Sequence, residues 1–229
     1  MTFYQQERHS RPLTVHLIII NVIIYLATGI NEDFMVGTFG LFYPTSPFFH
    51  WWQPLTYMFM HGSFAHIFFN MWSLYIFGKA VENIVGEKRF LILFLACGLG
   101  AAALHHAVQY AQVSMWMDKI ADGAKDAAAS YVQLKRTPTV GASGSVYGIL
   151  VAFAMIFPEA RLTLIFPPVT LSAKWMAVIF IGIELFTGIT GTADGIAHFA
   201  HLGGALVGWL LIWWWYKRRK HNKYESFHY

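Results

Sequence analysis

Six runs of this chain, residues 12–30, 61–77, 90–108, 140–157, 171–189 and 196–216, are apolar over close to the roughly 20 residues that a helix needs to cross a bilayer. Inside hydrocarbon there is no water to bind backbone N–H and C=O groups. A single segment can satisfy them only by closing its own helical hydrogen bonds. The runs therefore restrict the chain to an all-α membrane protein, a six-transmembrane-helix bundle. Composition agrees: 56% of the 229 residues are hydrophobic and 12% charged, where soluble domains carry about 25% charged residues. The connections leave no room for a separate soluble domain. The expected organisation is an N-terminal segment over 1–11, the membrane domain over 12–216 and a basic tail over 217–229.

Arg8 and Arg11 precede the first run as they would in a secretory signal. The run is longer than a signal's apolar region, however, and no small-x-small cleavage site follows, so it reads as a span. The single cysteine, Cys97, falls in the third run and has no partner for an internal disulfide. With six spans and a cytoplasmic N-terminus, twelve of the sixteen Lys and Arg residues fall on the cytoplasmic side and four outside. This positive-inside asymmetry puts both termini in the cytoplasm and fits a bacterial cytoplasmic (inner) membrane. The cluster from Lys217 to Lys223 is explained as a topology anchor facing anionic lipid, so no nucleic acid partner is implied.

Two connections stand apart. Residues 31–54 gather Phe42, Tyr43, Phe48, Phe49, Trp51 and Trp52 among Pro44, Pro47 and Pro54, a composition suited to the headgroup region. Residues 109–138 read as a solvated outer loop with a short helix in the Ala-rich stretch 121–129.

Polar residues inside the spans are costly and are functional by default. Spans two, four and six all run inward from the outer face. A rise of 1.5 Å per residue puts His66 roughly 8 Å deep, Asn70 roughly 13 Å and His201 roughly 8 Å, with Ser143 about one turn from the start of its span. Three helices thus bring Ser, His and a His/Asn pair to one level in the outer half of the membrane. Two stripes of small residues, Gly144/Gly148 on span four and Gly204/Gly208 on the His201 face of span six, offer a close approach of those helices. A Ser143–His201 hydrogen bond of about 2.6–3.2 Å is the expected result.

Gly141-Ala142-Ser143-Gly144 resembles the GxSG motif of the rhomboid family. Ala200-His201-x-x-Gly204-x-x-x-Gly208 is similar to its AHxxGxxxG motif, and His61-x4-His66-x3-Asn70 to its HxxxxHxxxN signature. Gly78-x3-Glu82-x3-Gly86 is a further match. Each motif alone is ordinary in a membrane helix; the set, in order on spans two, four and six, is specific. The resemblance implies an intramembrane serine protease with a Ser143/His201 dyad. Tyr147 would pack on the histidine ring, and His66 and Asn70 would form the oxyanion hole with the Ser143 N–H. His61, Gly141, Gly144 and Gly204 would support the site. Many relatives carry Trp-Arg in the first outer loop where this chain has Trp52-Gln53, which removes an arginine as the brace of that loop.

The chemistry agrees with these roles. A serine hydroxyl becomes nucleophilic when a base takes its proton. His66 and Asn70, four apart on one helix face, can both donate to an oxyanion. Ser143 at a helix start adds unpaired N–H groups and the positive end of the dipole. No third carboxylate is required, and Glu184 on span five is the one buried acid considered. His198 and His201 form an HxxH pair without a partner carboxylate, a weak metal signature, so neither metal nor other cofactor is expected. His16, His105 and His106 read as structural. There is no HExxH zinc motif and no pair of membrane aspartates.

The implied partners are the lipid bilayer and transmembrane protein substrates whose helices open readily near the outer face; the sequence assigns no oligomeric state. Two other readings stand beside the protease. One is a catalytically silent rhomboid-like membrane protein that binds client helices. The other is a transporter using His66, Asn70 and Glu184 as a relay, which would place its polar groups at the midplane and call for internal repeats that the chain lacks.

Overall fold

A computed structural model describes residues 12–164, 168–190 and 195–225. The segment 1–11, residues 165–167 and 191–194 and the last part of the basic tail, 226–229, lie outside the described residues. The chain is an integral membrane protein built almost wholly of helices. Three are long and apolar enough to cross a membrane, Glu87–Ala121, Ala173–Thr190 and Ala197–Lys217, and two shorter apolar helices, Leu13–Thr28 and Ser143–Ile156, accompany them. Ile23, Phe69, Val178, Ile183, Phe186 and Leu206 all face outward, as lipid-facing side chains should.

Helix α1 (Leu13–Thr28) follows Pro12, which has no side chain to cap it. Its cap comes from far along the chain. Glu82 accepts Leu13 N–H at 2.7 Å, Thr14 N–H at 2.9 Å and Thr14 Oγ1–H at 2.5 Å. Glu82 is itself buried, so Glu184 is not the only buried acid. After α2 (Glu32–Phe39), capped by Asn31, and the short α3 (Gln53–Thr56), the second apolar run becomes one continuous rod. It comprises α4 (Phe64–Ser73), a single π turn (Leu74–Gly78) and α5 (Lys79–Val85), and it stops at Gly86, whose φ of 83° favours glycine. The helix starts at Phe64 rather than near His61, because Ser63 Oγ accepts His66 N–H at 3.2 Å and sets the N-terminus there.

The third run extends well past residue 108. Helix α6 (Glu87–Ala121) is 35 residues long, about 52 Å, against a hydrocarbon core of about 30 Å. What reads as a loop from Gln109 to Pro138 begins as a continuation of this helix through Ala121. No Gly or Pro interrupts the sequence until Gly123, whose φ of 88° ends the turn, and α7 (Lys125–Arg136) folds back. Helix α8 (Ser143–Ile156) is buried on nearly every side. A two-stranded antiparallel hairpin, β1 (Arg161–Thr163) with β2 (Thr170–Ser172), follows, Arg161 opposite Ser172. The alternation Arg-Leu-Thr and Thr-Leu-Ser favours strand pairing, so Leu171 lies in a strand and the helix of the fifth apolar run, α9, begins at Ala173 and ends at Thr190. Helix α10 (Gly195–Glu225) carries helical backbone past Tyr216.

Helices α6, α8 and α10 pack as the centre of the bundle. A Cβ on Gly204 would fall on the carbonyl of Gly144, one on Gly208 on the carbonyl of Gly148, and one on Gly148 on the Cys97 sulfur. Three backbones meet where only hydrogen fits.

The loop between α2 and α3 is braced without arginine. Gln53 is fully buried; its Oε1 accepts Phe42 N–H at 3.3 Å and its Nε2 donates to Phe48 O at 2.9 Å and Thr38 O at 3.4 Å. Trp52 Nε1 donates to the same Thr38 carbonyl at 3.0 Å. A neutral amide with both donors and an acceptor ties three backbone segments that a guanidinium could only have donated to. Leu41 and Thr139 then exchange backbone hydrogen bonds of 2.8 and 2.9 Å, fixing this loop to the strand-like approach to Ser143.

Candidate active site

Ser143 is the first residue of α8, and Ala142 before it contributes no side-chain cap. The first N–H groups of the helix are left unpaired by helical geometry. Gly141, with φ of 135°, makes the sharp entry. A Cβ on Gly141 would lie 2.7 Å from His66 Nε2 and 3.6 Å from Ser143 Oγ. The bare backbone therefore lets the His66 ring and the serine hydroxyl come to the same small space.

Across that space His201, on α10, has Nε2 at 2.8 Å from Ser143 Oγ. The close packing of Gly204 on Gly144 sets this distance, because a larger residue at either position would push the helices apart. The Tyr147 ring stacks on His201 with centroids 4.4 Å apart and planes 5° from parallel.

On α4, Asn70 is buried, and its Nδ2 has no hydrogen-bond partner among the described residues. A buried free donor calls for a reason, and a group that waits for a developing charge supplies one. His66 is half-buried beside it, and the His61 ring meets His66 edge-on at 5.0 Å. His61 lies before the helix and is fully buried.

Span five adds a residue whose position the sequence did not reveal. Glu184 is buried, and its carboxylate accepts from Tyr147 Oη–H through Oε1 and from His198 Nδ1 through Oε2 at 2.6 Å. The same Oε2 lies 3.0 Å from His201 Nδ1, although that N–H does not point along the line of a hydrogen bond. His198 thus has a partner carboxylate after all. The available signal was Glu184 itself, the only acid in the run 171–189. One sequence cannot show which helix face opposes which.

Glu184, His198 and His201 offer donor atoms within 4.8 Å of one another, of the types that zinc takes. At 2.6 and 3.0 Å the Oε2 atom is in direct contact with both imidazoles, so the three are engaged with each other rather than spread around an ion. His16 Nδ1 lies 3.2 Å from Pro12 O, His106 Nδ1 2.8 Å from Gln109 Oε1, and His105 Nε2 2.8 Å from Thr139 Oγ1. None of these three contacts involves Ser143 or His201.

Chemically, the arrangement holds a hydroxyl at a helix start against an imidazole acceptor, with the His66 ring at the edge of the same space. A hydroxyl so placed can lose its proton as it attacks, and a negative oxygen can be received.

The Rhomboid domain matches residues 49–218 of the chain. The chain is 26% identical over 211 residues to the rhomboid protease AarA of Providencia stuartii, covering 87% of this chain and 70% of that protein. It is 30% identical over 207 residues to the mitochondrial RHOMBOID-like protein 12 of Arabidopsis thaliana, covering 88% of this chain and 58% of that one. The chloroplastic Rhomboid-like protein 11 of the same plant is 28% identical over 203 residues, with 86% of this chain and 63% of the relative covered. Two of these three relatives are therefore spanned over less than two thirds of their length. With the family match covering most of its residues, this chain belongs to the rhomboid family.

Proposed function

We propose that this chain is an intramembrane serine endopeptidase that cleaves single-span membrane proteins near the outer face. The observation that carries the proposal is the 2.8 Å contact between Ser143 Oγ and His201 Nε2, formed by residues from two of the three family motifs. His201 takes the hydroxyl proton as Ser143 Oγ attacks the scissile carbonyl carbon. The oxyanion is received by the Ser143 N–H, Asn70 Nδ2 and His66, donors fixed before the charge appears. The proton on His201 then passes to the leaving amine as the C–N bond breaks, and water releases the acyl enzyme by the same route. Tyr147 holds the imidazole by its face; Gly141, Gly144 and Gly204 keep the space open, and His61 backs His66.

In this reading the chain crosses the bilayer six times with both termini in the cytoplasm, supported by the six apolar runs and the Lys/Arg asymmetry. The segment 1–11 and the region 217–229 flank the membrane domain on that side. The same asymmetry favours a bacterial cytoplasmic membrane; relatives named as chloroplastic and mitochondrial occupy organelle compartments. Substrates are helices with small or helix-weakening residues near the outer face, since a peptide group in an intact helix is already paired.

The test is covalent labelling of the purified full chain by a fluorophosphonate. Labelling that disappears in Ser143→Ala, with the folded protein recovered in equal amount, supports the protease. A wild type that stays unlabelled and does not cleave single-span reporters supports the silent client-binding protein instead.

A further inference from the structure

Among the described residues, the polar groups within reach of the Glu184 side chain are Tyr147, His198 and His201, all around Ser143. A buried carboxylate costs several kcal/mol of lost hydration unless donors replace the water. Glu184 has three in reach: the Tyr147 hydroxyl, His198 Nδ1 and His201 Nδ1. They come from α8 and α10, the two helices that carry Ser143 and His201. A residue needed only to pack α9 against its neighbours would be served by an apolar side chain.

We propose that Glu184 is a positioning residue for His201, so that Ser143, His201 and Glu184 act as a three-member relay with the acid supplied by α9. The proposal rests on the protease reading above and adds a member to its dyad. For Nε2 to accept the Ser143 proton, the single proton of the neutral imidazole has to sit on Nδ1. A carboxylate is acceptor-only when ionised and holds the ring in that tautomer. When Ser143 Oγ bonds to the carbonyl carbon its proton moves to Nε2, and the ring becomes an imidazolium whose charge lies against Oε2. Glu184 takes no proton at any step. The Nε2 proton leaves with the amine, and in deacylation a proton from water follows the same path. His198 anchors the carboxylate from its outer side through the 2.6 Å contact with Oε2. At rest the 3.0 Å approach of His201 Nδ1 to Oε2 is not aligned, and catalytic hydrogen bonds commonly tighten only in the reacting complex.

The experiment compares wild type, Glu184→Gln and Glu184→Asp in the full chain, reading the saturating rate of fluorophosphonate labelling and the concentration that half-saturates it. Glutamine keeps the size and the acceptor for Tyr147 but loses the charge. The saturating rate is expected to fall about 10- to 100-fold, within what general-base catalysis contributes, with the half-saturating concentration and the unfolding temperature unchanged. Aspartate, which keeps the charge, is expected to recover part of the rate.

A Glu184→Gln rate within about two-fold of wild type, or equal losses in the two variants, overturns the proposal. Should Glu184→Gln fail to fold, nitrogen-15 histidine NMR of the wild type decides the matter. A resting His201 protonated on Nδ1 is expected, and a neutral ring with its proton on Nε2 overturns the proposal. A wild type that fluorophosphonate does not label at Ser143 defeats the protease reading itself, a result distinct from labelling that is indifferent to Glu184.

Discussion

Among the described residues two buried carboxylates do opposite kinds of work, Glu82 in α5 and Glu184 in α9. Glu82 accepts three hydrogen bonds from Leu13 and Thr14 and so closes the start of α1, where Pro12 provides no cap. Glu184 accepts from Tyr147 and His198 and adjoins His201, all side chains around Ser143. In both, burial is made tolerable by donors. The identity of the donors separates them: backbone N–H groups at a helix start mark a joint in the scaffold, while converging imidazoles and a phenol mark chemistry. Burial of an acid in an apolar helix is therefore not a sign of function until its partners are known.

The largest effect expected on the Glu184 side is that of His201→Ala. It should abolish both fluorophosphonate labelling and reporter cleavage while the detergent-solubilised protein keeps its unfolding temperature. Persistent labelling of Ser143 in that variant would show that another group activates the serine. Asn70→Ala comes next. Turnover should drop about 10²- to 10³-fold, the usual cost of one oxyanion donor, because His66 and the Ser143 N–H remain. If it is as inactive as Ser143→Ala with its fold intact, Asn70 has a different task.

Glu82→Ala tests the other half of the comparison. Leaving Leu13 N–H and Thr14 N–H without their acceptor should cost about 1–3 kcal/mol, read as a lowered unfolding temperature, with the labelling rate of the folded fraction unchanged. A slowed labelling rate at unaltered stability would break the division between scaffold and site. The smallest effect belongs to His198→Ala, which removes one donor from Glu184 and leaves Tyr147 and His201. Labelling within a few-fold of wild type is expected. A His198→Ala protein as dead as His201→Ala would overturn the assignment of His201 as the base.

The Ser143–His201 contact was legible because helical periodicity puts Gly204 and Gly208 on the face of His201, and the Gly144/Gly148 stripe meets that face. Helix ends were less legible. Apolarity marks where a helix can lie in lipid, whereas α6 continues through residues 109–121 because no Gly or Pro in that stretch stops it. The second apolar run takes in His61, although Ser63 caps the helix after it. The apolar run that starts at Leu171 conceals a strand, since three alternating residues are too few to interrupt a hydropathy pattern.

What the sequence determined by itself is the membrane, the helical class and the pairing of a serine with a histidine, because hydropathy and helical periodicity are properties of contiguous residues. What only the tertiary structure decided is which acid meets which donor: Glu82 with the start of α1, 68 and 69 residues away, Gln53 with three strands of loop backbone, and Glu184 with His198 and His201. Such contacts depend on the rotation of each helix about its axis and on how closely the glycines let α8 and α10 approach. Those are set by the packing of all the helices together, and no local pattern encodes them.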